Sequence, residues 1–142
     1  MAETRRLYCC ACETEVDARL ISGAEAYVRR PDLANMPFWC CDGCGNFVGC
    51  HHRHHDPSKR RDPLGCIPTP AIKSARQHIH RILDPLWQSG RMKRRHVYGL
   101  LAEAMGKSEY HTAEIRSVEE ARDVYRAARR IADQPHPSPG KA

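Results

Sequence analysis

FWCCDGCGNFVGCHHRHH, residues 38–55, holds four cysteines and four histidines in eighteen residues. A tetrahedral metal takes four ligands, so this stretch offers twice what one ion needs. The spacing sorts them. Cys41 and Cys44 form a C-x-x-C pair, which lets two sulfurs converge on one ion. Gly45 follows, where such a knuckle needs a positive φ. A second pair lies about thirty residues upstream at Cys9 and Cys12, with Glu13 in the position that Gly45 holds in the first. Two pairs give four thiolates, the shell of a structural zinc with no open coordination position. The expected cofactor is therefore one structural Zn2+ on Cys9, Cys12, Cys41 and Cys44.

The remaining candidates are treated one by one. Cys10 and Cys40 sit next to ligands, and neighbouring side chains on a strand point opposite ways, so both should face away from the ion. Cys66, beside Leu64, reads as a buried thiol. Cys50 and His51 stand between two roles: support of the zinc shell, or a second site with His52, His54 or His55. The HHRHH run itself reads as a solvated, partly cationic loop.

Composition supports a stapled small domain. The chain has 142 residues, 41% hydrophobic and only 6% aromatic, which predicts a thin core. No apolar run reaches the roughly 18 residues of a membrane span, and no signal peptide is visible. A cytoplasmic setting is expected, where thiols stay reduced and paired cysteines bind metal. Charge is uneven. Residues 51–100 carry 11 basic and 3 acidic side chains, hence +8 of a total +6, while the first fifty carry 5 and 7. That points to an anionic partner.

The element pattern predicts an α+β protein: an N-terminal zinc ribbon of short antiparallel strands, then a three-helix region. The expected divisions are a ribbon over residues 1–52, a basic proline-containing linker over 53–68, helices over 69–133 and a disordered tail over 134–142. Val16–Ile21 alternates and, through Ser22-Gly23, should pair as a hairpin with Ala24–Val28. Phe38–Cys40 and Phe47–His51 are further strand candidates. Thr69-Pro70 starts a helix with Ile72, Ala75, Ile79, Ile82, Leu83 and Leu86 inward, which Asp84-Pro85 should kink or end. A second helix is expected from about Met92 to Met105, with Val97, Leu100, Leu101 and Ala104 inward and Gly106 at its end. The third opens on a capping box, Ser117–Glu120, with Val118, Ala121, Val124, Tyr125, Ala128 and Ile131 inward.

Several of these stretches resemble a zinc-finger-containing domain family of uncharacterised bacterial and phage proteins. They are CCAC and CDGC, GNFVGCH (Gly45–His51), DPLG (Asp62–Gly65), DPLW (Asp84–Trp87) with SGRMKR, and YGLLAEAMG (Tyr98–Gly106) leading to YHTAEIRSVEEA (Tyr110–Ala121). The resemblance runs from about residue 8 to 130. It implies zinc on the four paired cysteines, and it implies that Cys50-His51 belongs to the family pattern. It implies no activity. The chain departs from the family at Cys10 and Cys40, which are additions, and in the long basic HHRHHDPSKRR. HTA replaces an expected His-Ile-Gly, which puts a family role for His111 in doubt.

Three functions compete. The first is a non-enzymatic nucleic-acid-binding accessory factor, of phage or bacterial origin, that contacts DNA or RNA phosphates. Its expected contacts are Lys59, Arg60 and Arg61 in the linker, Lys73, Arg76 and Arg81 on one stripe of the first helix, and Arg91, Lys93, Arg94 and Arg95 at the start of the second. Basic side chains at a helix start oppose its dipole, so they suggest a use other than stability. Aromatics look too few for a base-stacking platform, and Trp39 and Trp87 read as core. The second is a protein adaptor that presents the basic patch to an acidic protein surface. The third, a ββα-metal nuclease of the His-Asn-His kind, needs an asparagine after its first histidine, whereas Asn35 and Asn46 precede the cluster.

Overall fold

The computed structural model describes residues 3–134. Two compact units divide after Pro70. The tail expected over 134–142 lies outside the described residues from position 135 onward.

The first unit is built on a four-stranded antiparallel meander in the order β1-β2-β3-β4: Thr4–Cys9, Thr14–Ser22, Pro37–Cys40 and Phe47–Gly49. β1 was not legible in the sequence, because TRRLYC has no clean alternation. It pairs with β2 from Thr4↔Arg19 to Cys9↔Thr14. β2 then pairs with β3, Arg19 opposite Cys40 and Ser22 opposite Pro37, and β3 with β4, Cys40 opposite Phe47.

The expected hairpin between Val16–Ile21 and Ala24–Val28 does not form. Gly23–Ala26 is a single helical turn, α1. A Cβ on Gly23 would lie 1.6 Å from the Leu33 carbonyl oxygen, so only glycine fits where the chain leaves the sheet. Gly23 and Ala24 donate their amides to Met36 and Ala34, at 2.7 and 3.2 Å. The alternating Ala-Ala-Val offers little apolar area to reward a strand, and Val28 is 80% exposed.

One face of the sheet carries the core: Cys9, Ala18, Trp39, Cys41, Val48, Cys50 and Ile67, flanked by Leu7, Val16 and Leu20. Part of the stretch expected as a linker closes it. His51 donates to the Asp62 carbonyl and Leu64 to that of Gly49, each at 2.9 Å, and Ile67 bridges to Cys9. Trp39 Nε1 donates to the Arg61 carbonyl at 2.7 Å. The indole N–H needs a partner once buried, and the proline-rich segment supplies a carbonyl not used by regular structure.

The second unit holds three main helices. α2, Pro70–Gln88, runs through Pro85 without ending at Asp84. The proline removes one hydrogen bond close to the helix end, where little helix remains to disrupt, and the Asp84 carboxylate accepts from Trp87 Nε1 at 3.2 Å. α3 is Arg94–Ala104. It ends on Gly106 at φ 69°, with the Lys107 amide donating to the Ala102 carbonyl at 2.9 Å and the Gly106 amide to Glu103 at 3.0 Å. That is a Schellman closure. Ala104, expected inward, is exposed, and Leu100 is half-buried.

α4, Val118–Asp133, is capped by Ser117 Oγ, which accepts from the Glu120 amide at 3.0 Å. The Glu120 carboxylate does not reach back to Ser117. It takes the Arg116 amide and the Tyr110 hydroxyl. The buried face is Ala121, Val124, Ala127, Ala128 and Ile131. Val118 and Tyr125, expected inward, are 41% and 38% exposed. Small Ala127 takes the inward position, and Tyr125 stacks on His78 at the rim.

Candidate metal centre

Each C-x-x-C pair lies at the turn of a hairpin. Cys9 ends β1 and Cys12 falls in the turn to β2; Cys41 and Cys44 lie in the turn from β3 to β4. An antiparallel meander places alternate turns at the same end of the sheet, so β1–β2 and β3–β4 bring both knuckles to one corner. The four Sγ atoms lie within 4.8 Å of one another, with Cys9–Cys44 at 3.5 Å and Cys12–Cys41 at 3.8 Å. A tetrahedron with bonds of about 2.3 Å has edges of about 3.8 Å, so the donor set fits a zinc ion.

The knuckle turns follow the reading of the sequence. Gly45 has φ 81° and Glu13 has φ 54°. Glu13 is the sole non-glycine residue with positive φ among those described. A side chain there strains the backbone, and the geometry of the first knuckle imposes it. Arg19 on β2 clamps the second knuckle, donating to both Asp42 carboxylate oxygens at 3.0 Å and to Glu25 at 2.8 Å. The guanidinium holds the Asp42 carboxyl below its usual range.

Cys9 and Cys41 are buried, whereas Cys12 and Cys44 are exposed. Burial pushes the Cys9 thiol up to about 12, against the opposing amide of Cys12. Burial also pushes on Cys41, but the amides of Cys44 and Gly43 bring it below its ordinary value. Those amides turn toward the sulfur because the knuckle wraps it. A metal taking this site must displace protons from the thiols.

Among the described residues, this is the one group of three or more His, Cys, Asp or Glu side chains drawn together closely enough for a metal. Cys50 and His51 belong to no such group among the described residues. Cys50 is 2% exposed inside the core, with its thiol raised to about 11 by burial. His51 is exposed. His52 Nδ1 lies 3.3 Å from the Cys50 carbonyl, His54 accepts the Asp56 amide at 3.0 Å, and His54 and His55 stack. The run leads into a three-residue 3-10 turn, Pro57–Lys59. Cys40 is 7% exposed and stands outside the four-sulfur group, as does Cys10.

The expected phosphate contacts divide sharply. Arg76 is not on the surface. It is 9% exposed and donates Nη2 to the Ile115 carbonyl at 2.8 Å, so it ties α2 to the segment before α4. Helical spacing placed it on the basic stripe, but the 111–117 segment covers that part of α2. Arg61 pairs with Glu3 at 2.8 Å, and Arg60 donates to the His54 carbonyl at 2.8 Å. Lys59 and Arg81 are exposed, and Lys73 is half-buried.

Arg91, Lys93, Arg94 and Arg95 are all exposed, and none has a carboxylate within ion-pair reach among the described residues. Arg94 lies over the rings of Tyr98 and Trp87, 4.9 and 5.6 Å from their centres. Arg94, Arg95, Tyr98, Tyr110 and His111 line a cleft of about 280 Å³. Tyr98 and His111 were not singled out from the sequence as parts of a surface; one turn of helical spacing from Arg94 is the signal that would have found Tyr98.

A carboxylate–imidazole–hydroxyl order also occurs in this unit. His80 Nδ1 lies 3.4 Å from Asp84, and its Nε2 lies 2.8 Å from Thr112 Oγ1. Thr112 is 3% exposed, and its hydroxyl ties the 111–114 turn to α2. No described helix is long and apolar enough to cross a membrane.

Against known proteins, a family model for a zinc-finger-containing domain matches residues 4–131. Searches of curated proteins and of solved structures find no match.

Proposed function

The chain belongs to the zinc-finger-containing domain family, and on that premise we propose a non-enzymatic, nucleic-acid-binding accessory protein whose four-thiolate zinc is structural. Zinc on Cys9, Cys12, Cys41 and Cys44 supplies a cross-link between the two hairpin turns. The phosphate contacts come from Arg91, Lys93, Arg94 and Arg95, with Lys59 and Arg81 as further exposed cations.

One contrast carries the reading. In the first unit Arg5, Arg6, Arg19, Arg30 and Arg61 each meet a carboxylate. Among the described residues the cations of 91–95 meet none, as is also true of Arg29, Arg53, Lys59 and Arg60, but those of 91–95 stand four in five positions. Unpaired positive charges repel one another and disfavour the start of α3. A polyanion would relieve that cost, and each phosphate neutralised releases counterions. Arg94, stacked over the buried Tyr98 ring, sets a cation beside the cleft for a sugar-phosphate backbone.

The test is the salt dependence of binding to fluorescent single- and double-stranded oligonucleotides. The log of the association constant should fall linearly with log salt. Changing Lys93, Arg94 and Arg95 together to alanine should flatten the slope by about 2–3 units on a duplex. Affinity that ignores salt, or a slope that survives the triple change, refutes the reading.

The adaptor reading has its own observation. Val118 and Tyr125 edge a groove of about 540 Å³ between α2 and α4, lined also by Ala75, Ile79 and Ala121. A partner captured from nuclease-treated lysate and lost on Tyr125→Glu would favour it.

A further inference from the structure

We propose that Cys10 and Cys66 are a modification site: the two form a reversible disulfide in the folded, metal-loaded protein. Their Sγ atoms lie 3.7 Å apart although 56 positions separate them in the chain. They are 6% and 8% exposed.

The backbone explains the meeting. Cys9 and Ile67 form a parallel bridge, with the Ile67 amide donating to the Tyr8 carbonyl and the Cys10 amide to the Ile67 carbonyl, both at 2.9 Å. Cys9 and Ile67 point into the core and are fully buried. Their neighbours Cys10 and Cys66 turn to the opposite side, where side chains flanking a bridge share one face. A disulfide needs sulfurs at about 2.05 Å, so closure asks for about 1.7 Å of approach. Rotation about χ1 of two short side chains can supply much of that.

A bland alternative is two small apolar groups packed together. It explains burial but not why the one sulfur–sulfur contact outside the zinc cluster joins these two residues among those described. Cys40 and Cys50 are as buried and have no such contact.

With glutathione disulfide as oxidant the step balances. One protein thiolate attacks a glutathione sulfur, forming a mixed disulfide and expelling one glutathione thiolate. The second protein thiolate attacks the protein sulfur of that mixed disulfide and expels the other. The protein sulfurs lose two electrons in total, the glutathione pair gains them, and the two thiol protons pass to the departing glutathiones. The product ring spans residues 10–66. It encloses Cys12, Cys41 and Cys44 and the basic segment from Arg53 to Arg61.

The experiment equilibrates the full-length zinc-loaded protein in glutathione buffers from reducing to oxidising, blocks remaining thiols, and maps non-reduced peptides by mass spectrometry while zinc is measured. One linked pair, Cys10 to Cys66, should appear with zinc retained. The melting temperature of the zinc unit should rise by on the order of 10 °C, as for closing a ring of this length. Cys10→Ser and Cys66→Ser should each abolish the link and the rise. If both thiols stay blocked by the alkylating agent across the whole range, the inference is overturned. Linkage of either to a zinc ligand overturns it too. The wild-type map decides the matter even where a serine variant folds poorly, and neither result depends on nucleic-acid binding.

Discussion

Stripping the metal from the four cysteines should unfold the first unit. A four-thiolate zinc shell contributes about 10–16 kcal/mol to folding near pH 7. That is comparable to the whole stability of an ordinary domain, about 5–15 kcal/mol. Little is left without it. The core beneath the sheet has three large buried side chains, Trp39, Val48 and Ile67, with Leu7, Val16 and Leu20 only partly buried against them; a large apolar side chain is worth about 1.5–3 kcal/mol when fully buried and less when partly so. Two further core members, Cys9 and Cys41, are themselves ligands. A net deficit of about 3 kcal/mol already leaves roughly 1% folded. The two tryptophans permit a clean reading, since Trp39 lies in the first unit and Trp87 in the second. In a Trp87→Phe protein, Trp39 alone reports. Its emission should move to the red as a chelator removes zinc and return when zinc is restored, with a midpoint that follows chelator strength. A metal-free protein, verified by elemental analysis, whose Trp39 emission stays blue would refute the view that zinc holds this unit together.

Three further outcomes follow from particular residues. Glu13→Gly removes a left-handed residue that costs about 1–2 kcal/mol, offset by about 0.5–1 kcal/mol of glycine entropy. Zinc should bind roughly two- to five-fold more tightly in a competition assay, and weaker binding would contradict the strain at φ 54°. Arg76→Leu should cost about 1–3 kcal/mol in urea unfolding by leaving the Ile115 carbonyl short of a donor, while the salt slope of nucleic-acid binding stays unchanged; a flattened slope would return Arg76 to the binding surface. Burial raises the Cys50 thiol from 9.0 to about 11. Its contribution to stability is complete below about pH 9, where folded and unfolded chains are both protonated, and is lost as pH rises toward 11. Cys50→Ala should make the fall in stability between pH 9 and 11 shallower, and an identical slope would show that Cys50 is not the group titrating there.

The four metal ligands were legible because a C-x-x-C knuckle is a local device. Its spacing, and the residue after it, decide whether two sulfurs can share an ion. The helix starts and stops at Ser117 and Gly106 were legible for the same reason, since caps are made by residues three to five positions apart. Tertiary structure decided the rest. β1 exists because β2 offers it an edge; TRRLYC has no pattern to announce it. The 61–67 segment is part of the sheet's cover because Trp39 needs a carbonyl and Cys9 a bridge partner, neither visible from a proline-rich run. Arg76 was placed on a basic stripe by helical spacing, and a distant loop buried it. Cys10 was read as facing away from the ion, and it does; that it faces Cys66 depends on a contact between chain positions far apart. Periodicity tells which side of an element a residue occupies. Only the packing of other elements tells what stands on that side.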